Sequence, residues 1–377
     1  MYSEKKCKVA HILHSVGGVD VSLRLILKNI DSDKFENIIV HGKIDTQNHF
    51  TDSKGNTLLS FKTSIFRNIS ILKDLKSIIE TYKIIKKQRP DIIHAHSAKG
   101  GIVGKIIGGI LGITTFYTPQ AFSYLSTQNY LQKKIYILIE RLTKGKSILL
   151  ASSNSERERA IEEVGYSKNF TLLFNNCIEP VNSISSLGIE KTWPVEYICT
   201  VGRPSYQKNI ELMIKVIYEL QKTKKIHLVI MGVGPVSDQL ESVKKLIKKL
   251  ALSDAVTLID WTDRENIFHI ISKSKLYLST ARYEGLPYSV IESLALSKPC
   301  VVSHCDGNID LIEDAYNGFV IKGKNVTEYA QKINLLLNNE ELLKKMSDNA
   351  KKSFDKNYNI LNNISVLEKF YKDYAVK

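Results

Sequence analysis

Short apolar runs alternate with longer stretches of helical period along the whole chain. The runs at 7–14, 36–41, 91–95, 113–118, 147–151 and 170–174 read as strands. Helical patterns lie between them near 19–30, 69–88, 98–110, 129–144 and 153–163. The alternation restarts at 195–201 and continues through 226–231, 256–260, 275–280, 299–302 and 318–321. Repeated strand–helix units imply parallel sheets with helices on both faces. The polar, turn-rich NNCIEPVNSISSLGIEKTWP between the two series reads as a linker. The pattern therefore predicts an α/β protein of two Rossmann-like domains facing a cleft, residues 1–185 and 186–357. The helix-like tail, 358–377, follows a complete second domain and is expected to pack back on the first. A chain of 377 residues is long enough for two such cores.

Ligands in such sheets bind beyond the carboxyl ends of the strands, and the motifs of this chain fall there. The most informative is ARYEGLPYSVIES, which follows the 275–280 strand and opens a helix at Pro287. Proline suits a first helical turn, whose amides have no partner to lose, and Gly285 permits close approach of an anion. Val290, Ile291 and Leu294 make one side of this helix apolar, and Tyr288, Ala295 and Leu296 the other. Such a helix is buried, so Glu292 is expected to be a buried carboxylate in need of a hydroxyl or a cation. Glu284 precedes the anion site and Glu292 lies beyond it. That order suits a ligand with a diphosphate in the middle and hydroxyls at both ends, such as a nucleotide-sugar.

VGRPSYQKN follows the first strand of the second series, with Gly202 and Arg203 in the loop and Lys208 where a helix should begin. Two cations at that point form a clamp for a diphosphate leaving group. In HSVGGVD, Gly17 and Gly18 sit at a strand-to-helix turn, where their amides can approach a ligand; a ligand-free tight turn explains them equally well. HAHSAKGG places His94 and His96 at a strand end and Lys99 at the start of a helix. The two histidines are assigned to opposite faces, with His94 packing inward and His96 or Lys99 lining the cleft. YTPQAFSYLS is expected to bring Gln120 and two aromatics to the cleft for a sugar acceptor, with a packed loop as the equal alternative. GVGPVS at 232–237 is a poor dinucleotide fingerprint, since Ser237 replaces the third glycine. Neither Gly104-Lys105 nor Gly145-Lys146 completes a P-loop, and no zinc or two-carboxylate metal site is expected.

Charge changes the picture of partners. Residues 1–185 carry 26 Lys and Arg against 16 Asp and Glu, and the remainder 27 against 23. The basic excess thus sits mainly in the first half, as suits an anionic membrane surface or a phosphorylated substrate, although a solvated lysine-rich surface looks the same. The segments 69–88 and 129–144 mix apolar faces with lysines, as helices lying on a membrane do. No apolar run is long enough to span a bilayer, and the first residues, MYSEKK, do not read as a secretory signal. Five scattered cysteines without a C-x-x-C pair point to a reducing cytoplasm.

Gly202, Arg203 and Lys208 in G-R-x4-K, Glu284 to Glu292 in E-G-L-P-x4-E, Gly17-Gly18 and the DGN-x-D-x-I at 306–312 together resemble glycosyltransferase family 4. That family comprises retaining, nucleotide-sugar-dependent enzymes of GT-B fold, and HAHSAKGG looks like its members in bacterial O-antigen and capsule synthesis. The resemblance implies that Arg203 and Lys208 stabilise the departing diphosphate, Glu284 holds the donor sugar and Glu292 the ribose. Gly17 and Gly18 would approach the phosphates, while Gly285, Leu286, Pro287 and Trp261 would complete the donor site, with Arg264 near the base. His96, Lys99 and Gln120 would face the acceptor. The resemblance implies no metal or other cofactor, and it implies that the leaving phosphate assists deprotonation of the acceptor, so that no enzymic base is needed. Many members have His-Gly where this chain has Pro119-Gln120-Ala121, so Gln120 stands where a histidine contact to the donor is usual.

These readings predict a cytoplasmic enzyme, peripheral on the inner face of the cell membrane. It would move a hexose or N-acetylhexosamine from a UDP-sugar to a lipid-linked oligosaccharide of the undecaprenyl diphosphate type. A sugar-nucleotide epimerase or hydrolase of the same fold is the alternative. A nucleic-acid-binding protein is disfavoured, because no basic–aromatic recognition motif is present.

Overall fold

The computed structural model describes residues 5–66, 70–234 and 237–375. Parts of four expectations fall outside them: residues 1–4 of the opening segment, residue 69 of the 69–88 helix, Pro235-Val236 of GVGPVS and residues 376–377 of the tail. The chain divides into two compact units, Met1–Glu179 with Ile360–Lys377, and Pro180–Asn359. The boundaries expected were 185/186 and 357/358.

In the first unit the elements run β1 (Cys7–Leu13), α1 (Gly18–Asn29), β2 (Phe35–Gly42), β3 (Ser60–Thr63), α2 (Ile71–Gln88), β4 (Ile92–His96) and α3 (Ser97–Leu111). They continue with β5 (Thr114–Thr118), α4 (Tyr130–Thr143), β6 (Ile148–Ala151), α5 (Asn154–Arg159) and β7 (Thr171–Leu173). The seven strands are parallel, in the order β3-β2-β1-β4-β5-β6-β7. Strand order therefore reverses between β1 and β4, the point where an open α/β sheet leaves a crevice at its carboxyl edge. β3 has no counterpart among the expected strands. It lies at the edge with only Thr63 buried, so it lacks the apolar run that marks the others.

Glycines set how closely α3 lies on this sheet. A Cβ at Gly100 would come 2.4 Å from the Ile12 carbonyl, one at Gly101 2.2 Å from the Tyr117 ring and one at Gly104 2.5 Å from Ala95 Cβ. Any side chain there would lift the helix and move Ser97–Lys99 away from β1. Beneath α4, Lys105 donates to Glu140 at 2.7 Å and Tyr117 donates to the same carboxylate at 2.9 Å, all three buried. Burial pulls the Lys105 pKa down against the attraction of Glu140. Breaking such a buried pair by removing one partner costs about 3–5 kcal/mol.

The second unit contains β8 (Tyr197–Val201), α6 (Ile210–Leu220), β9 (His227–Val233), α7 (Leu240–Lys249), β10 (Val256–Asp260), α8 (Arg264–Lys273) and β11 (Tyr277–Ser279). After these come α9 (Tyr288–Ala295), β12 (Cys300–Ser303), α10 (Asn308–Leu311), β13 (Gly318–Ile321), α11 (Val326–Asn338) and α12 (Glu340–Asn357). Its six parallel strands are ordered β10-β9-β8-β11-β12-β13, so the reversal falls between β8 and β11. Ile198, Leu228, Ile230, Leu278 and Val301 from the sheet and Ile214, Ile217 and Ile333 from the helices share one apolar core. Both units are thus Rossmann-like. α13 (Ile360–Ala375) belongs to the first unit, packing on α1, β1 and β4.

Among the described residues, no helix is long and apolar enough to cross a membrane. All five cysteines are unpaired.

Candidate functional site

At the β8/β11 reversal the structure brings together most of the residues expected to hold a donor. Lys208 ends the loop after β8, and its stem runs across Gly202, where a Cβ would lie 3.0 Å from Lys208 Cγ. The Lys208 ammonium donates to Glu284 Oε1 at 2.8 Å, and Gln207 Nε2 donates to Oε2 at 3.0 Å. Burial pulls the Lys208 pKa down, but the adjacent Glu284 carboxylate outweighs it, and the group is held above its ordinary value as a cation. Arg282 pins this loop from the β11 side. Its amide donates to the Gln207 carbonyl at 2.8 Å, its guanidinium donates to the Tyr206 carbonyl, and it covers the Tyr206 ring at 4.4 Å. Arg203 is half-buried in the same loop.

Glu284, Gly285, Leu286 and Pro287 are buried and lead into α9, which begins at Tyr288 with Pro287 as its N-cap, one residue later than expected. The first turn of the helix, with its positive end, lies directly after the Glu284 carboxylate. Gly307 lets the following DGN loop back onto this segment. It has φ +75°, and a Cβ there would come 2.4 Å from the Gly285 carbonyl. Glu292 is buried in the middle of α9, as its apolar surroundings predict. Its partner is Arg264, at the start of α8, which donates to Oε1 through Nε at 3.1 Å and Nη2 at 2.9 Å. Burial pushes Glu292 upward and Arg264 only partly offsets that, leaving its pKa raised. Trp261 stands apart from this group, 65% exposed after the edge strand β10.

In the first unit, the carboxyl ends of β1, β4 and β5 lie side by side. Gly17 and Gly18 are exposed, and a Cβ at Gly17 would meet nothing within 4 Å. Gly17 has φ +63° and caps α1. Lys99 is held by Asp74 at 2.5 Å. Gln120 and Ala121 adopt φ +52° and +75°, a left-handed stretch that non-glycine residues rarely take. The Ala121 amide is fixed by Glu156 Oε1 at 2.7 Å, and Gln120 Nε2 is buried without a hydrogen-bond partner.

Two expectations about this edge are corrected. Residues two apart in a strand share a face, so His94 and His96 point the same way, with ring centroids 3.9 Å apart. His96 is fully buried and offers no surface to an acceptor. The aromatics after Gln120 do not reach the surface either: Phe122 and Tyr124 are buried and stacked at 5.2 Å. Apolar burial of two large rings decides for the packed loop.

His94 and His96 join His11 in a cluster of three buried imidazoles whose nitrogens lie within 4.8 Å of one another, close enough to hold a metal ion. Their hydrogen bonds define one consistent set of tautomers. His11 Nε2 donates to Asn37 Oδ1 at 3.0 Å, so its Nδ1 accepts from His96 Nε2 at 3.1 Å. The Thr118 hydroxyl donates to the Leu150 carbonyl and so accepts from His94 Nε2 at 2.9 Å. His94 Nδ1 then accepts from the Tyr371 hydroxyl of α13 at 2.5 Å. Only His96 Nδ1 lacks a partner. Burial lowers the pKa of all three, His11 to about 4. The cluster is a neutral hydrogen-bonded layer that fastens α13 to the sheet. It was not legible in the sequence, because His11 and Tyr371 come from distant elements.

Comparison with known proteins bears on the family and the fold. Residues 190–353 match the family model described as glycosyl transferases group 1, and residues 35–154 match the glycosyl transferase 4-like model. The chain belongs to the glycosyltransferases. It is 25% identical, over 99% of both chains, to the UDP-Gal:alpha-D-GlcNAc-diphosphoundecaprenol alpha-1,3-galactosyltransferase of Escherichia coli. It is 26% identical, over 74% of both chains, to a Campylobacter jejuni alpha-1,4-N-acetyl-D-galactosaminyltransferase named for a PP-undecaprenol-linked substrate. Among solved structures, sucrose-phosphate synthase of Thermosynechococcus elongatus superposes with a TM-score of 0.84 at 14% identity, covering 98% of this chain and 99% of that one. Anabaena HepE in complex with UDP-glucose gives 0.78 at 17% identity, covering 97% and 99%. Those likenesses establish the GT-B fold for this glycosyltransferase.

Proposed function

We propose that this glycosyltransferase is a retaining, metal-independent enzyme. It transfers a hexose or N-acetylhexosamine from a UDP-sugar to an undecaprenyl-diphosphate-linked oligosaccharide in O-antigen or capsule synthesis. The observation that carries the reading is the Lys208–Glu284 pair at the β8/β11 reversal, 2.8 Å apart and directly before the N-terminus of α9. A diphosphate at that helix end meets Lys208 and Arg203, and Glu284 is left to accept from hydroxyls of the sugar. Glu292, steadied by Arg264, accepts from the ribose, and Trp261 lies toward the base. In the reaction the C1–O bond to the diphosphate breaks and the acceptor oxygen bonds C1 from the same face. The acceptor proton passes to the leaving phosphate oxygen, and the two cations stabilise the charge that develops there.

The lipid-linked acceptor is supported by the Escherichia coli relative, which is named for a diphosphoundecaprenol substrate and aligns over 99% of this chain. A surface suited to the membrane is present in the first unit. α2 exposes Ile71, Leu72, Leu75 and Ile79 beside Lys73 and Lys76. α4 exposes Leu131, Ile135, Leu138 and Leu142 at helical spacing beside Lys134 and Arg141. Apolar rows edged with cations suit an anionic bilayer, at the inner face of the cell membrane.

The test is incubation with UDP-sugars, with and without a lipid-diphosphate-linked acceptor sugar. Transfer that requires the acceptor and proceeds in chelator is the expected result. Turnover of donor alone to its epimer or to free sugar would replace this reading with the epimerase or hydrolase. Pelleting with anionic vesicles at low salt tests the membrane face, and failure to pellet removes that part.

A further inference from the structure

His14 follows β1 directly, at the β1/β4 reversal, and is accounted for by nothing above. It is half-buried, and its Nδ1 lies 2.7 Å from Asp45 Oδ1, an approach bent away from the ideal hydrogen-bond angle. The Asp45 side chain is fully shielded from solvent. Its other oxygen accepts from the Ser15 amide at 2.6 Å and the Gly42 amide at 2.8 Å. Gly42 is required for this placement, because a Cβ there would lie 2.4 Å from Asp45 Oδ1. A carboxylate sequestered against a glycine, facing one ring nitrogen, fixes the tautomer of the ring. Nδ1 carries the proton and Nε2 carries a lone pair, for which the described residues supply no partner. The ring stands three residues before exposed Gly17, where a Cβ would meet only open space.

We propose that His14 is an acceptor-binding residue, whose Nε2 accepts a hydrogen bond from a hydroxyl of the sugar to be extended. The proposal rests on the glycosyltransferase reading above. An Nε2 lone pair held outward by the Nδ1–Asp45 contact accepts from O–H donors, which separates this contact from the diphosphate end of the donor. Asp45 is a positioning residue that acts through the ring. The other ionisable groups around it are His41 on β2, in register with Leu13; Asp20 and Arg24 on α1, paired at 2.8 Å; and Lys62 on β3. Ser15 ties Asp20 into the same loop at 2.5 Å.

The experiment measures steady-state transfer by wild type, His14→Ala and His14→Gln with a UDP-sugar and a lipid-diphosphate-linked acceptor. Absence of transfer by wild type would count against the functional reading itself. Given transfer, His14→Ala should raise the acceptor KM about tenfold, the worth of one hydrogen bond of 1.4 kcal/mol. Its donor KM and its stabilisation by UDP should stay unchanged. His14→Gln, which keeps an uncharged acceptor atom, should recover part of the acceptor KM. Asp45→Asn should raise the acceptor KM in the wild-type background and add nothing to His14→Ala. An unchanged acceptor KM in both His14 variants, or a rise in donor KM instead, would overturn the proposal.

Discussion

In the first unit the strand order reverses between β1 and β4, and the side chains gathered there and beneath are mostly imidazoles, three of them sealed and neutral. In the second it reverses between β8 and β11, where carboxylates meet Lys208 and Arg264. Two copies of one topology have been filled with different chemistry. Neutral donors and acceptors cost little to bury once paired, so the first sheet can extend its polar layer into the core and tie α13 to it. Away from the buried Lys105–Glu140 pair beneath α4, the cations at the reversal of the second unit, Lys208 and Arg264, stay partly exposed at the sheet edge, where desolvation costs them less. The first arrangement binds structure to structure. The second, on the function proposed above, leaves its cations for a charged ligand.

Acid should break this symmetry most strongly. Below about pH 6.5 the unfolded chain protonates His11, His94 and His96, whereas the folded chain resists to about 4 at His11. Their folded pKa values are lowered, so their contribution to stability is complete above 6.5 and is lost as pH falls. The His11 shift, from 6.5 to about 4, gives a loss of about 1–2 kcal/mol by pH 5.5, and protonation of His94 and His96 acts in the same direction. Both tryptophans, Trp193 and Trp261, lie in the second unit, so their fluorescence reports on that unit alone. Hydrogen exchange in β1 and β4 should therefore accelerate at a higher pH than the tryptophan signal changes. Simultaneous loss of both would mean that the imidazole layer does not set the acid limit of the first unit.

Next in size, Lys208→Ala should lower kcat/KM by about 10²–10³-fold by removing charge from the departing diphosphate. The melting temperature should change much less, because Glu284 keeps Gln207. Equal losses in activity and folding would assign Lys208 to structure. Tyr371→Phe leaves His94 Nδ1 buried without a donor and should cost about 1–3 kcal/mol, read as an earlier melting of the first unit. A melting temperature equal to wild type would show that ring packing alone holds α13.

The smallest effect has the opposite sign. The Glu292 pKa is raised in the folded chain, so its ionised form opposes folding at neutral pH, and that opposition fades as pH falls through the raised value. Glu292→Gln should raise the melting temperature of the nucleotide-free protein by about 2 °C at pH 7. The gain should shrink on acidification, while UDP stabilises the variant less than wild type. A variant that is less stable at pH 7 would mean that the Arg264 bond outweighs burial.

The fold was legible because each buried parallel strand is a dense apolar run and each helix shows its period. β3, an exposed edge, shows neither. The second unit's site was legible because its parts are local: Glu284, Pro287 and Glu292 share one loop and helix, and Lys208 lies five residues from Arg203. The first unit's site was less so. Asp45 reaches His14 from a loop without pattern, the imidazole layer draws on β1, β2, β4, β5 and α13, and burial of Phe122 and Tyr124 is settled only by packing.

One hydrogen bond, from the Ile360 amide to the Ile178 carbonyl at 2.9 Å, brings the exit and the return of the chain side by side on the first unit. On the ribosome, β1 to β7 emerge long before α13, and all of the second unit is synthesised in between. The first unit must therefore wait, with His94 lacking its hydroxyl and the floor of β1 and β4 uncovered, until some 180 further residues have been made. Its folding is completed by a segment translated after the second unit, so a released chain truncated before Ile360 should hold a finished second unit and an unfinished first.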